Sequence, residues 1–142
     1  MSFQVLIPSA GIGSRLFKET KNLNKALVQI DNKPIISHII EKFPKSCQFI
    51  IPVGYKGSDL IDYLRIAHSE LDLVVKTIDP FDGDGSGLGY TISQVLNYIN
   101  KPFVFTSCDT IVKNKIPEPN KNWIGYSKVT NSSDYRTLDI EE

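Results

Sequence analysis

Val5-Leu6-Ile7-Pro8-Ser9-Ala10-Gly11-Ile12-Gly13-Ser14-Arg15-Leu16 is the stretch whose reading decides the fold. Three consecutive apolar residues stopped by a proline predict a parallel strand buried on both faces. The glycine-rich continuation predicts a loop leaving that strand's carboxyl end. In open α/β sheets this is where ligands bind.

Outward from this strand, the same grammar repeats. Ala26-Leu27-Val28-Gln29-Ile30 predicts a brief extended piece, closed by the turn residues Asp31-Asn32-Lys33. Pro34 suits the first turn of a helix, and Ile35, Ile36, Ile39, Ile40 and Phe43 fall on its period. Gln48-Phe49-Ile50-Ile51-Pro52-Val53 predicts a second strand, and Gly54-Tyr55-Lys56-Gly57 its exit loop. Ser58 or Asp59 can then cap a helix carrying Leu60, Ile61, Leu64 and Ile66. Residues 71–78 predict a third strand. A loop over residues 79–86 opens into a helix carrying Ile92, Val95, Leu96 and Ile99, and Phe103-Val104-Phe105-Thr106 predicts a fourth strand. Strands alternating with helices imply βαβ units and a mostly parallel sheet with right-handed crossovers. Beyond a Pro/Asn/Lys loop, residues 123–129 predict a further strand with Trp123 in the core, and residues 135–140 a last short one. A sheet that stops just after a new strand is expected to be cut short.

Composition narrows the partners. The chain has 142 residues, enough for a single domain with a substantial core. Sixteen basic residues balance sixteen acidic ones, which argues against a broad nucleic-acid surface but leaves room for a local phosphate site. No apolar run approaches a membrane span, and the start, Met1-Ser2-Phe3-Gln4, has no basic region; a cytoplasmic, soluble protein without membrane partners is expected. Cys47 and Cys108 have no metal-ligand spacing and read as buried, reduced thiols.

Three segments fall at the carboxyl ends of the predicted strands. In residues 8–25, Gly11 and Gly13 let backbone N–H groups approach a phosphate or base, Arg15 offers a planar fork and Lys25 a mobile charge. A strand-to-helix turn that merely needs glycines would look the same. Specific rivals fit worse. A dinucleotide fingerprint wants Gly or Ala where Leu16 stands and an acid ending the second strand, and no Gly-Lys-Ser/Thr of a P-loop occurs. In Ser107-Cys108-Asp109-Thr110, Asp109 ends a buried strand, where a carboxylate either holds Mg²⁺ with substrate phosphates or caps a turn. In residues 79–90, Gly and Asp crowd before a helix whose N-terminus can face a ligand's negative or hydroxyl groups; the spacing is not that of a calcium-binding EF-hand.

Taken together, the motifs resemble those of the sugar-phosphate nucleotidyltransferases, the NDP-sugar pyrophosphorylases. The match comprises Ser9-Ala10-Gly11-Ile12-Gly13-Ser14-Arg15-Leu16, Asn24-Lys25-Ala26-Leu27, Asn32-Lys33-Pro34-Ile35, Gly85-Ser86-Gly87-Leu88-Gly89, Ser107-Cys108-Asp109-Thr110 and Ser133-Asp134-Tyr135-Arg136. They stand in the family's order over essentially the whole chain, and their wording suggests the branch of bacterial capsule or lipopolysaccharide biosynthesis. The resemblance implies a Rossmann-like three-layer α/β/α sandwich forming one NTP-transferase domain over residues 1–142, its acceptor-binding C-terminal portion absent. It implies transfer of an NMP group from an NTP to a sugar 1-phosphate, giving NDP-sugar and pyrophosphate with Mg²⁺. Ala10, Gly11, Gly13 and Ser14 would line the nucleotide and Arg15 would hold its β- and γ-phosphates. Lys25 would bridge the reacting phosphates, Asp109 would bind the metal, and Ser86 with Gly87 would touch base or ribose. Open alternatives are a cytidylyltransferase acting on phosphocholine or a similar phosphorylated acceptor, and a nucleotide-binding module without turnover. A homo-oligomer or a fusion to a further domain is equally open.

Some residues depart from the family's pattern. Asn24 replaces a usual proline, which is expected to loosen a rigid turn while keeping the charge of Lys25, and Pro8 and Ser9 replace small apolar residues. Family members run well beyond this length and supply a second metal carboxylate later; Asp134, Asp139, Glu141 and Glu142 do not match it. His38 is expected on a polar or interface face, His68 as a charge complementing a helix dipole, and Tyr55 with Lys56 near the acceptor.

Overall fold

A computed structural model describes residues 3–14, 17–131 and 133. Four parallel strands make the central sheet: β1 (Gln4–Leu6), β4 (Gln48–Val53), β5 (Asp72–Thr77) and β6 (Phe103–Phe105), in the spatial order β5-β4-β1-β6. Val5 lies opposite Phe49 on one side and Val104 on the other. A two-stranded antiparallel hairpin, β2 (Gln29–Ile30) and β3 (Lys33–Pro34), stands apart from the sheet. Its turn residues Asp31 and Asn32 both take positive φ, 51° and 61°, as a two-residue hairpin loop matched to strand twist requires.

Side chains alternate across the sheet, so the apolar run of β1 feeds two cores. Val5 and Ile7 join Phe49, Ile51 and Val53 beneath α2 (Ile35–Ile40) and α3 (Gly57–Ala67). Leu6 and Ile50 face the other way, with Ala10, Ile78 and Val95, beneath α4 (Leu88–Ser93). The result is a three-layer α/β/α arrangement. The chain steps from β1 to β4 to β5 on one side of the first strand, then returns to place β6 on its other side. This reversal puts a crevice between the carboxyl ends of β1 and β6.

Several local expectations are corrected. A four-residue helix, α1 (Phe17–Thr20), follows the glycine loop, and residues 25–27 form one 3-10 turn before β2 rather than extended chain. Pro34 occupies the cap position of α2 instead of its first turn. The next helix, α3, begins at Gly57, ahead of Ser58 and Asp59, because Lys56 turns the chain with φ 50° and no side-chain cap. Ile66 is 81% exposed: Leu60 and Leu64 are the fully buried leucines of α3, Ile61 packs partly buried beside them, and Ile66 points away. After six residues α4 stops, where Val95 leaves helical geometry at φ −119° to drop its side chain into the second core; a 3-10 turn, Leu96–Tyr98, follows with Leu96 exposed. No strand forms over residues 123–129. That segment pairs with no other among the described residues, and Trp123, 37% exposed, is not a core residue. The strand expected over residues 135–140 lies outside the described residues. Among the described residues, no helix is long and apolar enough to cross a membrane.

Candidate functional site

A cleft of about 360 Å³ opens at the crevice between β1 and β6, within the size range of small-molecule sites. Pro8, Ala10 and Gly11 from the loop after β1 form one wall, and Phe105 and Ser107 from β6 and its exit another. Phe81, Gly87, Leu88 and Thr91 come from the third loop and the start of α4, and Lys25 reaches in from the 3-10 turn. All three segments singled out in the sequence therefore border one space.

Charge is concentrated at its mouth. Lys25 Nζ donates to Asp109 Oδ2 at 3.1 Å, joining residues 84 positions apart. Ser107 Oγ donates to the other oxygen, Asp109 Oδ1. Burial works against the charge of Lys25, but the neighbouring Cys108 and Asp109 outweigh it and hold the ammonium's pKa above that of a free lysine. Burial likewise works against the Asp109 carboxylate, yet the Ser107 hydroxyl and the Lys25 charge hold its pKa below the ordinary value. Both groups are thus kept ionised over a wide range around neutrality. Beside them Cys108 is fully buried with a free thiol, whose pKa burial pushes up despite the nearby lysine; Cys47 is also free and buried.

The glycine loop is tied to this pair. At φ +67°, Gly13 leaves a space in which an added Cβ would stand 3.1 Å from Lys25 Cβ and 3.1 Å from Thr20 Cγ2. Its carbonyl accepts a hydrogen bond from Thr20 Oγ1 at 3.0 Å. Around Gly11 there is open space on the cleft side, and Ser14 is exposed on the same loop. Ala10 is buried, with its carbonyl accepting from Tyr55 N–H at 2.9 Å. In the third loop, Gly87 lines the cleft, whereas the Ser86 hydroxyl donates to Gly83 O at 2.7 Å within its own turn. Arg15 lies outside the described residues, as do Asp134, Tyr135 and Arg136.

Two contributors escaped the sequence reading. A Cβ at Gly54 would meet Phe81 Cβ at 2.5 Å and Ala10 O at 2.6 Å, so its bareness lets three loops close on one another. Asn24 is fully buried: its amide donates to Ser9 O at 3.0 Å and Tyr55 O at 2.7 Å, and its oxygen accepts from Ala26 N–H at 2.9 Å. The expected loosening of this turn is therefore overturned, because three side-chain bonds replace the ring constraint of proline. Pattern matching scores a residue against its usual occupant and cannot see such partners. Tyr55 lies against Phe81 with ring centroids 6.2 Å apart, and its hydroxyl donates to Lys21 O at 2.5 Å.

The histidines lie away from the cleft. His38 Nε2 sits 2.9 Å from Ile30 O. His68 closes α3 but is buried, 2.8 Å from Ser37 Oγ, which in turn sits 2.7 Å from Tyr63 OH. Burial lowers its pKa despite the attraction of Glu70 and Glu41, which corrects the expected role as a charge on the helix dipole.

An anion of phosphate type would meet a fixed ammonium and open backbone in this cleft, beside one carboxylate suited to a hard cation. The donor set fits Mg²⁺ as a one-carboxylate site to be completed by ligand oxygens and water; among the described residues there is no cluster of three or more metal-ligating side chains.

The chain is similar in sequence and fold to several known proteins. No family model matches the chain. It is 30% identical over 138 residues to the bifunctional protein GlmU of Methanococcus vannielii, covering 95% of this chain and 32% of that protein. With the glucose-1-phosphate cytidylyltransferase of Salmonella typhimurium it shares 28% over 130 residues, covering 76% of this chain and 51% of the other. The structure of the CTP:phosphocholine cytidylyltransferase of Streptococcus pneumoniae superposes with a TM-score of 0.67 at 24% identity, over 86% of this chain and 51% of that one. The chain thus spans between about a third and a half of the length of these relatives, and its fold is that of nucleotidyltransferases.

Proposed function

We propose that this chain, built on the nucleotidyltransferase fold, transfers an NMP group from an NTP to a sugar 1-phosphate, giving an NDP-sugar and pyrophosphate. The observation that carries this reading is the convergence of Lys25 and Asp109 at the mouth of a cleft walled by the glycine loop. A phosphate oxygen of the acceptor attacks the α-phosphorus; a new P–O bond forms as the bond to the β-phosphate bridging oxygen breaks and pyrophosphate leaves. No nucleophile from the protein is needed, so catalysis is positioning and charge neutralisation.

In this scheme the open backbone at Gly11 admits the nucleotide phosphates, and Lys25 lies against the reacting phosphates. Asp109, held ionised by Ser107 and Lys25, is the residue that would hold Mg²⁺. When bound, the metal neutralises charge on the phosphates. Ala10, Gly13 and Ser14 shape the loop, Gly87 with Ser86 borders the side where base or ribose lies, and Arg15 is assigned to the β- and γ-phosphates. Sequence similarity to a glucose-1-phosphate cytidylyltransferase supports a sugar-phosphate acceptor. A role in capsule or lipopolysaccharide synthesis rests on the wording of the motifs, and a cytoplasmic location would follow from soluble substrates.

The test incubates the chain with Mg²⁺, each NTP and a panel of phosphorylated acceptors, and measures pyrophosphate. Release that requires a sugar 1-phosphate supports the reading. Release with phosphocholine alone replaces the acceptor, and nucleotide binding without release reduces the chain to a binding module.

A further inference from the structure

We infer that Asn24 is the positioning residue of this site, a three-way clamp that sets where Lys25 stands relative to the glycine loop. This rests on the nucleotidyl-transfer reading for what Lys25 does, though not for the clamp itself. The asparagine carboxamide offers two N–H donors and a carbonyl acceptor, and here every kind is used. One donor goes to Ser9 O, immediately before the glycine loop, and the other to Tyr55 O, in the loop leaving β4. The acceptor takes Ala26 N–H, in the turn that carries Lys25.

Backbone bonds close the circuit. Tyr55 N–H donates to Ala10 O at 2.9 Å, and Leu27 N–H to the Asn24 carbonyl at 2.9 Å. Lys25 therefore begins a one-turn 3-10 segment whose capping residue, Asn24, is bolted to both neighbouring loops. Its stem then passes the bare Gly13 on the way to Asp109. A single turn of helix has little rigidity of its own, since nucleation is unfavourable. The direction of the lysine must come from these ties. Through Tyr55 the clamp also reaches Phe81, which lines the cleft. Aspartate could not donate, and alanine would remove all three side-chain bonds at once.

The test compares the wild-type chain with Asn24→Ala and Asn24→Ser. Native-state exchange is followed at the Ala26, Tyr55 and His68 amides, and kcat and KM for NTP in the pyrophosphate assay. The His68 amide, bonded to Leu64 O at the end of α3, is the reference outside the clamp. Asn24→Ala is expected to speed exchange at Ala26 and Tyr55 at least about tenfold beyond any change at His68, and to lower kcat roughly tenfold or more with a smaller change in KM. Serine, which can cap the turn but not span to two carbonyls, should restore protection at Ala26 and not at Tyr55. Wild-type kcat with unchanged exchange at both amides overturns the inference. So does an increase shared equally by His68, which would make Asn24 a general stabiliser. If Asn24→Ala does not fold, the serine variant decides by the same comparison. If wild type itself releases no pyrophosphate, the transfer reading fails while the exchange pattern still decides the clamp.

Discussion

Lys25 and Asp109 hold each other in their charged forms. A lysine whose folded pKa is raised adds stability below the free-lysine value of 10.5, lost as pH rises through the folded pKa. An aspartate whose folded pKa is depressed adds stability above the ordinary 3.8, lost as pH falls through its folded pKa. The pair is thus intact throughout the neutral range. Because Asp109 is more than a third exposed, water screens the attraction, and Lys25→Ala should change unfolding free energy by no more than about 1 kcal/mol in denaturant titrations. The same variant should lower pyrophosphate release by roughly a hundredfold, the scale of one lost charge stabiliser. A large stability loss with unchanged release would make the pair structural. Gly54 makes the opposite prediction. A methyl there collides with Ala10 O and Phe81 Cβ, so Gly54→Ala should destabilise by about 1–3 kcal/mol in the denaturant midpoint. It should also weaken nucleotide binding by shifting the glycine loop. Lys25 and Asp109 were legible in the sequence because their chemistry is scarce at such positions. Gly54 and Asn24 were not, because their importance lies in what crowds them from distant parts of the chain.

Elements with a strong apolar period were readable. The four sheet strands appear where apolar runs placed them; in the central β1 and β4 burial on both faces leaves little choice of residue, whereas the edge strands β5 and β6 stay partly exposed. Failures came where a partner decides the outcome. Residues 123–129 carry the strand-favouring Trp123, Ile124, Tyr126 and Val129, but a strand exists only with a neighbour to complete its hydrogen bonds. Ile66 fell near the helical period, yet the face of α3 that meets the core carries Leu60, Ile61 and Leu64 and leaves Ile66 in solvent. Accordingly Ile66→Lys should leave stability within about 0.5 kcal/mol, while Leu64→Ala should cost about 2–5 kcal/mol, both read from denaturant unfolding. The latch between α2 and α3 gives a pH prediction. Folded His68 resists protonation, whereas the unfolded chain takes up a proton near 6.5. Its contribution is therefore complete above that value and declines as pH falls below it, toward the folded pKa. Glu70 and Glu41 temper the loss; Lys33 and Lys45 add to it. Melting temperature should drop between about pH 7.5 and pH 5.5 in wild type, and less steeply in His68→Gln. Equal slopes would remove His68 from the account.

At the scale of the whole molecule, topology explains why the three suspect segments meet. β1 is flanked by β4 and β6, reached by crossovers over opposite faces, so loops from both sides converge at its carboxyl end. A second recess, lined by Ile40, Phe43, Lys45, His68 and Glu70, lies between α2, α3 and the sheet; it has its own ion pair, Lys45 Nζ to Glu70 Oε1 at 3.2 Å, but that lysine is largely exposed and no glycine backbone lines the recess. The central claim is that nucleotide binds at the first and not the second. Backbone amide shift mapping on the full chain, titrated with Mg²⁺ and each NTP, tests this most directly. Perturbations should concentrate at Gly11, Gly13, Lys25, Gly87, Ser107 and Asp109 for at least one NTP. Perturbations centred on residues 40–45 and 67–71, or none with any NTP, would contradict it.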